Sequence, residues 1–363
     1  VKNVEQISGR QFALLAIYIA IGDTILVLPS IPAMVAGRDA WISAVLGLVI
    51  GLGIVLLYGT LGKRNQGMTF VEYAEKLLGR WIGGLLACGL LFYLLISSAG
   101  HVREIGDFMT TQMMPETPIH AIHIFYASVV LMAAYLGLEP IARTGEFFFP
   151  FLILFLIVFI TFLVPSVEWN NLLPVMEKGV GPVLKGAVTT TAYPFAELLV
   201  LLMVMPQVKN QLAVKGNFMK GALFGGLIIA LIIFLSVSIL GQDLAARNMY
   251  PSYALAKKID VGQFLQRIEV ILAFMWLLTS FIKTSIFFYV FHITLAQIFR
   301  LRQYRSMVLP SGLLLVSFAI LISPNINHFL HLNDFWPYMD FVLGIGSSLL
   351  LLAAGFFRGR SGS

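Results

Sequence analysis

The 363-residue chain is 59% hydrophobic and 12% charged, with a mean hydropathy of +0.89. Such a composition excludes an ordinary soluble domain and predicts an all-α integral membrane protein with many spans. The net charge of +6 and the single cysteine add two exclusions. The basic residues lie in loops between apolar runs, where they set topology rather than bind nucleic acid, and one thiol, Cys88, supports neither a disulfide framework nor a zinc site.

In chain order, the apolar runs predict ten transmembrane helices at roughly 11–36, 41–61, 82–108, 119–137, 141–164, 183–208, 217–240, 267–292, 307–323 and 336–357. The first run leads straight into a full-length span, so no cleavable signal peptide is expected. It carries Gly22, Asp23, Pro29 and Pro32 near its centre. Glycine permits unwinding and proline removes a backbone donor, so this helix is predicted to break there. Irregular backbone at membrane depth persists where protein buries it or where it lines a cavity.

Residues 70–80 read as a short amphipathic helix in the interface. The polar end of the third span, His101-Val-Arg-Glu-Ile-Gly-Asp107, reads as a helix end projecting into water. The sixth span breaks a second time, at Tyr193-Pro194. Segment 241–266, the longest interruption, reads as partly helical. With both termini cytoplasmic, fifteen Lys and Arg fall on the inner side and eight on the outer, and Lys283 lies within the eighth span. The excess inside supports that orientation.

Ten spans divide five plus five, about 11–164 and 183–357, within one transmembrane domain covering 1–363. The interrupted spans are the first of each half. Two broken helices in corresponding positions predict an inverted repeat with a binding site at the breaks.

The residues at the breaks suggest the chemistry. Pro29 and Pro32 fall early in the second half-helix, where proline costs least. The amides at that half-helix start suit a carboxylate. Asp23, an acid at membrane depth, is a functional candidate by default: it can bind a ligand ammonium or a cation, carry a proton, or pair with Lys283. Pro194 frees carbonyls one turn earlier that can accept from a ligand amine, and Tyr193 and Phe195 can cover a small ligand. Glu197 is open to two readings, holding the interrupted helices together or shuttling a proton. Lys283, one turn after Thr279, needs a carboxylate or several carbonyls around it; it either replaces a sodium ion as a fixed cation or snorkels to a surface. Arg143 and Glu146 share a face at the start of the fifth span, as a solvated ion pair or a gate. The six histidines offer no convincing metal spacing, and no P-loop, nucleophile elbow or Rossmann glycine pattern is present. No cofactor or enzymatic activity is therefore expected.

Gly22-x-Thr24-x-x-x-x-Pro29 resembles the first-helix break of the amino acid–polyamine–organocation superfamily, with Thr24 where that pattern has a second glycine. Pro194-Phe-Ala-Glu197 resembles its sixth-helix break. The stretch Glu5-Gln-Ile-Ser-Gly-Arg-Gln-Phe12, Arg143-Thr-Gly-Glu146 and Leu-Leu-Pro-Val at 172–175 are most similar to the B subunits of bacterial spore germination receptors (GerAB type). The order of these short motifs covers essentially the whole chain. The resemblance implies a LeuT-like fold with helices 1 and 6 interrupted, residence in the spore inner membrane, A and C partner subunits, and a small-molecule germinant, commonly an amino acid. On this reading Gly22, Asp23, Thr24 and Ile25 hold the ligand carboxylate. Thr191, Tyr193, Pro194 and Phe195 receive its amine and side chain, with Glu197, Thr279 and Lys283 as the coupling set. The rival expectations are a proton-coupled amino acid transporter and a scaffold or conduit subunit without its own ligand.

Overall fold

A computed structural model of the chain describes residues 5–65, 67–259, 268–332 and 335–360. Lys2, Arg267 and the 260–266 part of the long interruption lie outside the described residues. Helix α1 (Gly9–Ile21) starts at a capping box in which Ser8 accepts from the Gln11 amide while Gln11 accepts from the Ser8 amide. It ends at Gly22 (φ −28°, ψ −96°). The backbone resumes as α2 (Thr24–Val27) and, past Pro29, as α3 (Ser30–Ala36). The half-helix expected after the first break is thus built as two short pieces.

Helix α4 (Ala40–Arg64) leads to α5 (Phe70–Phe108), which is interrupted at Gly79 (φ 79°). A positive φ is open to glycine at little cost, so the short helix expected at 70–80 exists as a separate piece. Next come α6 (Ile119–Leu136) and α7 (Leu138–Leu163). Helix α8 (Val180–Phe195) runs through Pro194 and gives way to 3₁₀ turns at Ala196–Val200 before α9 (Leu201–Val204). The second break therefore falls two residues later than Tyr193-Pro194. Proline removes the bond back to residue 190, and the disturbance is absorbed at Phe195 (φ −121°, ψ −41°).

The chain continues with α10 (Val214–Arg247), α11 (Pro251–Lys258) and α12 (Ile268–Ile298). It closes with α13 (Val308–Leu321), α14 (Ile326–Leu332), α15 (Trp336–Asp340) and α16 (Ser347–Arg360). Among the described residues nine helices are long and apolar enough to cross a membrane. Where the span at 307–323 is expected stands an apolar helix over Arg305–Leu321, shorter than those nine.

The broken helices sit at the centre. Helix α1 packs on α10, α7 and α12, and α8 on α4 and α3. Ser43, Gly47 and Gly51, spaced by four, form one small-residue face of α4. Helix α8 lies directly on it. Ser43 Oγ donates to the Val183 carbonyl (3.0 Å), Thr190 Oγ1 to the Ser43 carbonyl (2.9 Å) and Thr191 Oγ1 to the Gly47 carbonyl (3.4 Å). A Cβ on Gly51 would stand 2.2 Å from the Phe195 ring, so the absence of that atom sets how closely the two helices approach. Outward-facing residues such as Leu154, Leu309 and Leu313 are exposed and apolar, the surface a lipid-facing helix presents.

Candidate functional site

Breaking α1 at Gly22 leaves carbonyls that no longer belong to a helical ladder, and α12 supplies donors for them. Thr279 Oγ1 donates to the Gly22 carbonyl (3.0 Å) and Trp276 Nε1 to the Asp23 carbonyl (3.0 Å). At membrane depth an unsatisfied carbonyl is costly, so Thr279 serves the break itself. Thr279→Val keeps the side-chain shape and removes the donor. It is expected to cost about 1 kcal/mol, seen as a lower unfolding temperature of the detergent-solubilised protein with the fold retained.

One turn further along α12, Lys283 is completely buried. Its Nζ forms an ion pair with Asp23 Oδ1 and lies 2.5 Å from Glu197 Oε2. Snorkelling to a surface is thereby excluded. A single ammonium joins the first break, the second break and α12, and of the alternatives open for Asp23 and Glu197 the structure displays the pairing ones. Glycine at position 22 makes room for the lysine stem: a Cβ there would lie 2.5 Å from Lys283 Cδ and 2.9 Å from the Tyr18 carbonyl oxygen. On the α8 side, Tyr58 Oη donates to the Ala196 carbonyl (2.9 Å), and Tyr93 Oη to Asp340 Oδ1 (2.8 Å).

Beside the Lys283 bridge lies a cavity of about 50 Å³. Asp23, Thr24, His101, Glu104 and Tyr193 line it together with apolar side chains of α2, α3, α14 and α15. That volume holds a few waters, so a larger solute requires the walls to move. Of the residues expected to bind ligand, Asp23, Thr24 and Tyr193 reach this cavity. Gly22, Ile25, Thr191, Pro194 and Phe195 do not line it. Ile25 offers its carbonyl to Ser252 Oγ (2.6 Å), Thr191 faces Gly47, and Phe195 is turned away between Gly51 and Gly226. Phe195 fills the space left by Gly51 on α4 and Gly226 on α10, which is a packing role.

The larger correction concerns α5. His101, Arg103, Glu104 and Asp107 were expected to project into water; all four are buried. The helix continues inside the protein, covered by α12 and α13. Arg103 Nε bonds Asp107 Oδ2 (2.9 Å) and its guanidinium also donates to the Ser323 carbonyl, while His101 and Glu104 face the cavity. His101 Nε2 is 3.6 Å from Asp23 Oδ2. The i, i+3 spacing of His101 and Glu104, next to Gly100, is the signal in the sequence that places both on one face.

The gate candidates separate. Arg143 does not pair with Glu146; its guanidinium binds Glu139 one turn earlier (2.6 Å), the i, i+4 geometry that a helix favours. Glu146 instead accepts from Gln11 Nε2 (2.9 Å), with Arg10 Nε at 3.7 Å. Glu5 accepts from the Leu138 amide (2.7 Å), and Ile7 bridges Val208. The N-terminal stretch and the Arg143–Glu146 motif thus meet in one place. The Leu172–Val175 stretch is held elsewhere, against the Gly37–Asp39 turn: Arg38 donates to the Leu173 carbonyl, and Asp39 accepts from the Met176 amide (2.9 Å).

The fold has counterparts among known proteins. Mhp1, a nucleobase-cation-symport-1 family transporter solved in a closed conformation with bromovinylhydantoin bound, superimposes with a TM-score of 0.72 at 13% identity. The match covers 96% of this chain and 78% of Mhp1. MhsT in complex with L-phenylalanine gives 0.68 at 17% identity, covering 97% and 88%. At such identities the likeness establishes the fold, a LeuT-like one. Spore germination protein KB of Bacillus subtilis (strain 168) is 29% identical over 332 residues, 91% of this chain and 88% of its own length. The family model described as "Spore germination protein" matches residues 6–327. With a match of that extent, and with motifs similar to those of germination receptor B subunits, this chain belongs to the spore germination protein family.

Proposed function

We propose that the chain is the germinant-sensing membrane subunit of a spore germination receptor, binding a small germinant, an amino acid, in the cavity beside the Gly22–Asp23 break. The observation that carries this reading is the placement of a small, partly polar cavity against the one ammonium that ties both broken helices together. A ligand entering the cavity touches Asp23 and Tyr193, and so acts on both breaks at once. It shifts the protein between conformations only as far as its affinity for them differs. Asp23, Glu197 and Lys283 are the coupling set on this reading. Glu146, held to Gln11, is a gate element in contact with the N-terminal stretch. The subunit acts with A and C subunits in the spore inner membrane, with both termini on the core side.

A second reading, a proton-coupled amino acid transporter, draws on the fold shared with Mhp1 and MhsT. Proteoliposomes holding this chain alone separate the two, with saturable binding and uptake of labelled amino acids measured on one preparation. Binding without concentrative uptake is the expected result. Uptake driven by a proton gradient contradicts the receptor reading.

A further inference from the structure

We infer that Glu104 is the acceptor for the ligand's ammonium group, and that the site selects small primary ammonium compounds with a short apolar body. The inference rests on the cavity reading above and deepens it.

Asp23 and Glu104 put carboxyl groups on the cavity. Lys283 serves Asp23, together with Glu197 outside the lining. Arg103, although next to Glu104 in sequence, is committed to Asp107 and the Ser323 carbonyl. Among the described residues no donor reaches the carboxyl group of Glu104, a residue that is 8% exposed and lines the cavity. A buried carboxylate without a counter-charge is costly; of the other buried acids without a cation, Asp39 accepts from the Met176 amide and Asp340 from Tyr93 Oη, which leaves Glu104 with neither a cation nor a donor among the described residues.

The surroundings specify what supplies the missing charge. Val27, Leu28, Ile31, Met249 and Leu332 form an apolar wall, and Tyr193 and Trp336 add aromatic faces. Aromatic faces favour an organic ammonium. A calcium or magnesium ion takes six or more oxygen ligands, which this wall does not offer. His101, side by side with Glu104 on α5, has no hydrogen-bond partner on either ring nitrogen. It can donate to an acceptor atom of the same ligand. An acidic acceptor, a neighbouring donor and an apolar wall describe a compact α-amino acid with an apolar side chain better than a sugar or a carboxylic acid.

The test uses the full chain in lipid nanodiscs. The probes are the twenty protein L-amino acids, isobutylamine, isobutyrate and glucose, with thermal shift and calorimetry as readouts. At least one ammonium-bearing probe is expected to bind the wild type, and isobutyrate and glucose are not. Glu104→Gln, which keeps size and hydrogen-bonding atoms, is expected to weaken that binding at least tenfold while the ligand-free unfolding temperature stays at or above the wild-type value. Glu104→Asp is expected to retain part of the affinity. Equal binding in Glu104→Gln overturns the assignment, as does a wild type that binds isobutyrate or glucose as well as any amine, or binds none of the probes. Binding that survives Glu104→Gln but is lost in Thr24→Val and Tyr193→Leu overturns the Glu104 role and leaves the cavity reading standing. Binding that survives all three variants overturns both.

Discussion

Lys283→Met is expected to be the most damaging single substitution in the protein. Methionine fills nearly the same volume but leaves Asp23 and Glu197 facing each other at membrane depth with no cation between them. Breaking a buried ion pair by removing one partner costs about 3–5 kcal/mol, and here two carboxylates depend on one ammonium. The variant should show a sharply lower unfolding temperature in detergent and reduced abundance in spore membranes. The triple variant Asp23→Asn, Glu197→Gln, Lys283→Met removes all three charges together. Replacing a whole buried charge set by neutral groups of similar size is close to neutral for folding. Stability should therefore return while the response to germinant does not. A Lys283→Met protein as stable as the wild type would contradict the bridge.

Gly22→Ala is expected to have the second largest effect, although it adds only one methyl group. The new Cβ would meet the Lys283 stem at 2.5 Å and the backbone carbonyl of Tyr18 at 2.9 Å. The far end of the lysine can move aside; its Cβ, at 2.8 Å, and the Tyr18 carbonyl cannot without shifting α12 or unwinding α1. Overpacking of this kind costs about 1–3 kcal/mol, and displacement of Lys283 weakens both of its ion pairs. Germination through this receptor should fall at least tenfold, measured as optical-density loss of spores, with other receptors in the same spore unaffected. Because both changes act on one contact, adding Gly22→Ala to Lys283→Met should cost less than Gly22→Ala alone. Full additivity would place the glycine's role elsewhere.

Much of this site was legible in the sequence because the lipid phase allows few solutions. Gly22, Asp23, Pro29 and Pro32 in one apolar run leave a broken helix as the workable outcome, and the backbone departs from helix at Gly22. Lys283 needed a carboxylate, and the two acids nearest the breaks both serve it. What was hidden was direction. Phe195 sits beside Pro194 in sequence, yet a turn tightened to 3₁₀ geometry rotates it toward Gly51. Arg143 is compatible with either Glu139 or Glu146 by spacing, and which one it meets depends on where Gln11 takes Glu146. His101 and Glu104 were missed for a different reason. A polar stretch after an apolar run looks the same whether the helix leaves the bilayer or runs on into protein, and only the packing of α12 and α13 against α5 distinguishes them.

On the proposed function, this chain itself recognises the germinant in the cavity beside the first break. The most direct measurement is the germinant spectrum of spores carrying Val27→Ala or Tyr193→Phe, with receptor abundance quantified in the same spores. Both residues line the cavity and neither belongs to the Lys283 bridge. A changed ranking of effective amino acids at normal abundance is expected, with Val27→Ala shifting preference toward a bulkier side chain. An unchanged ranking in both variants at normal abundance would contradict it and assign recognition to a partner subunit.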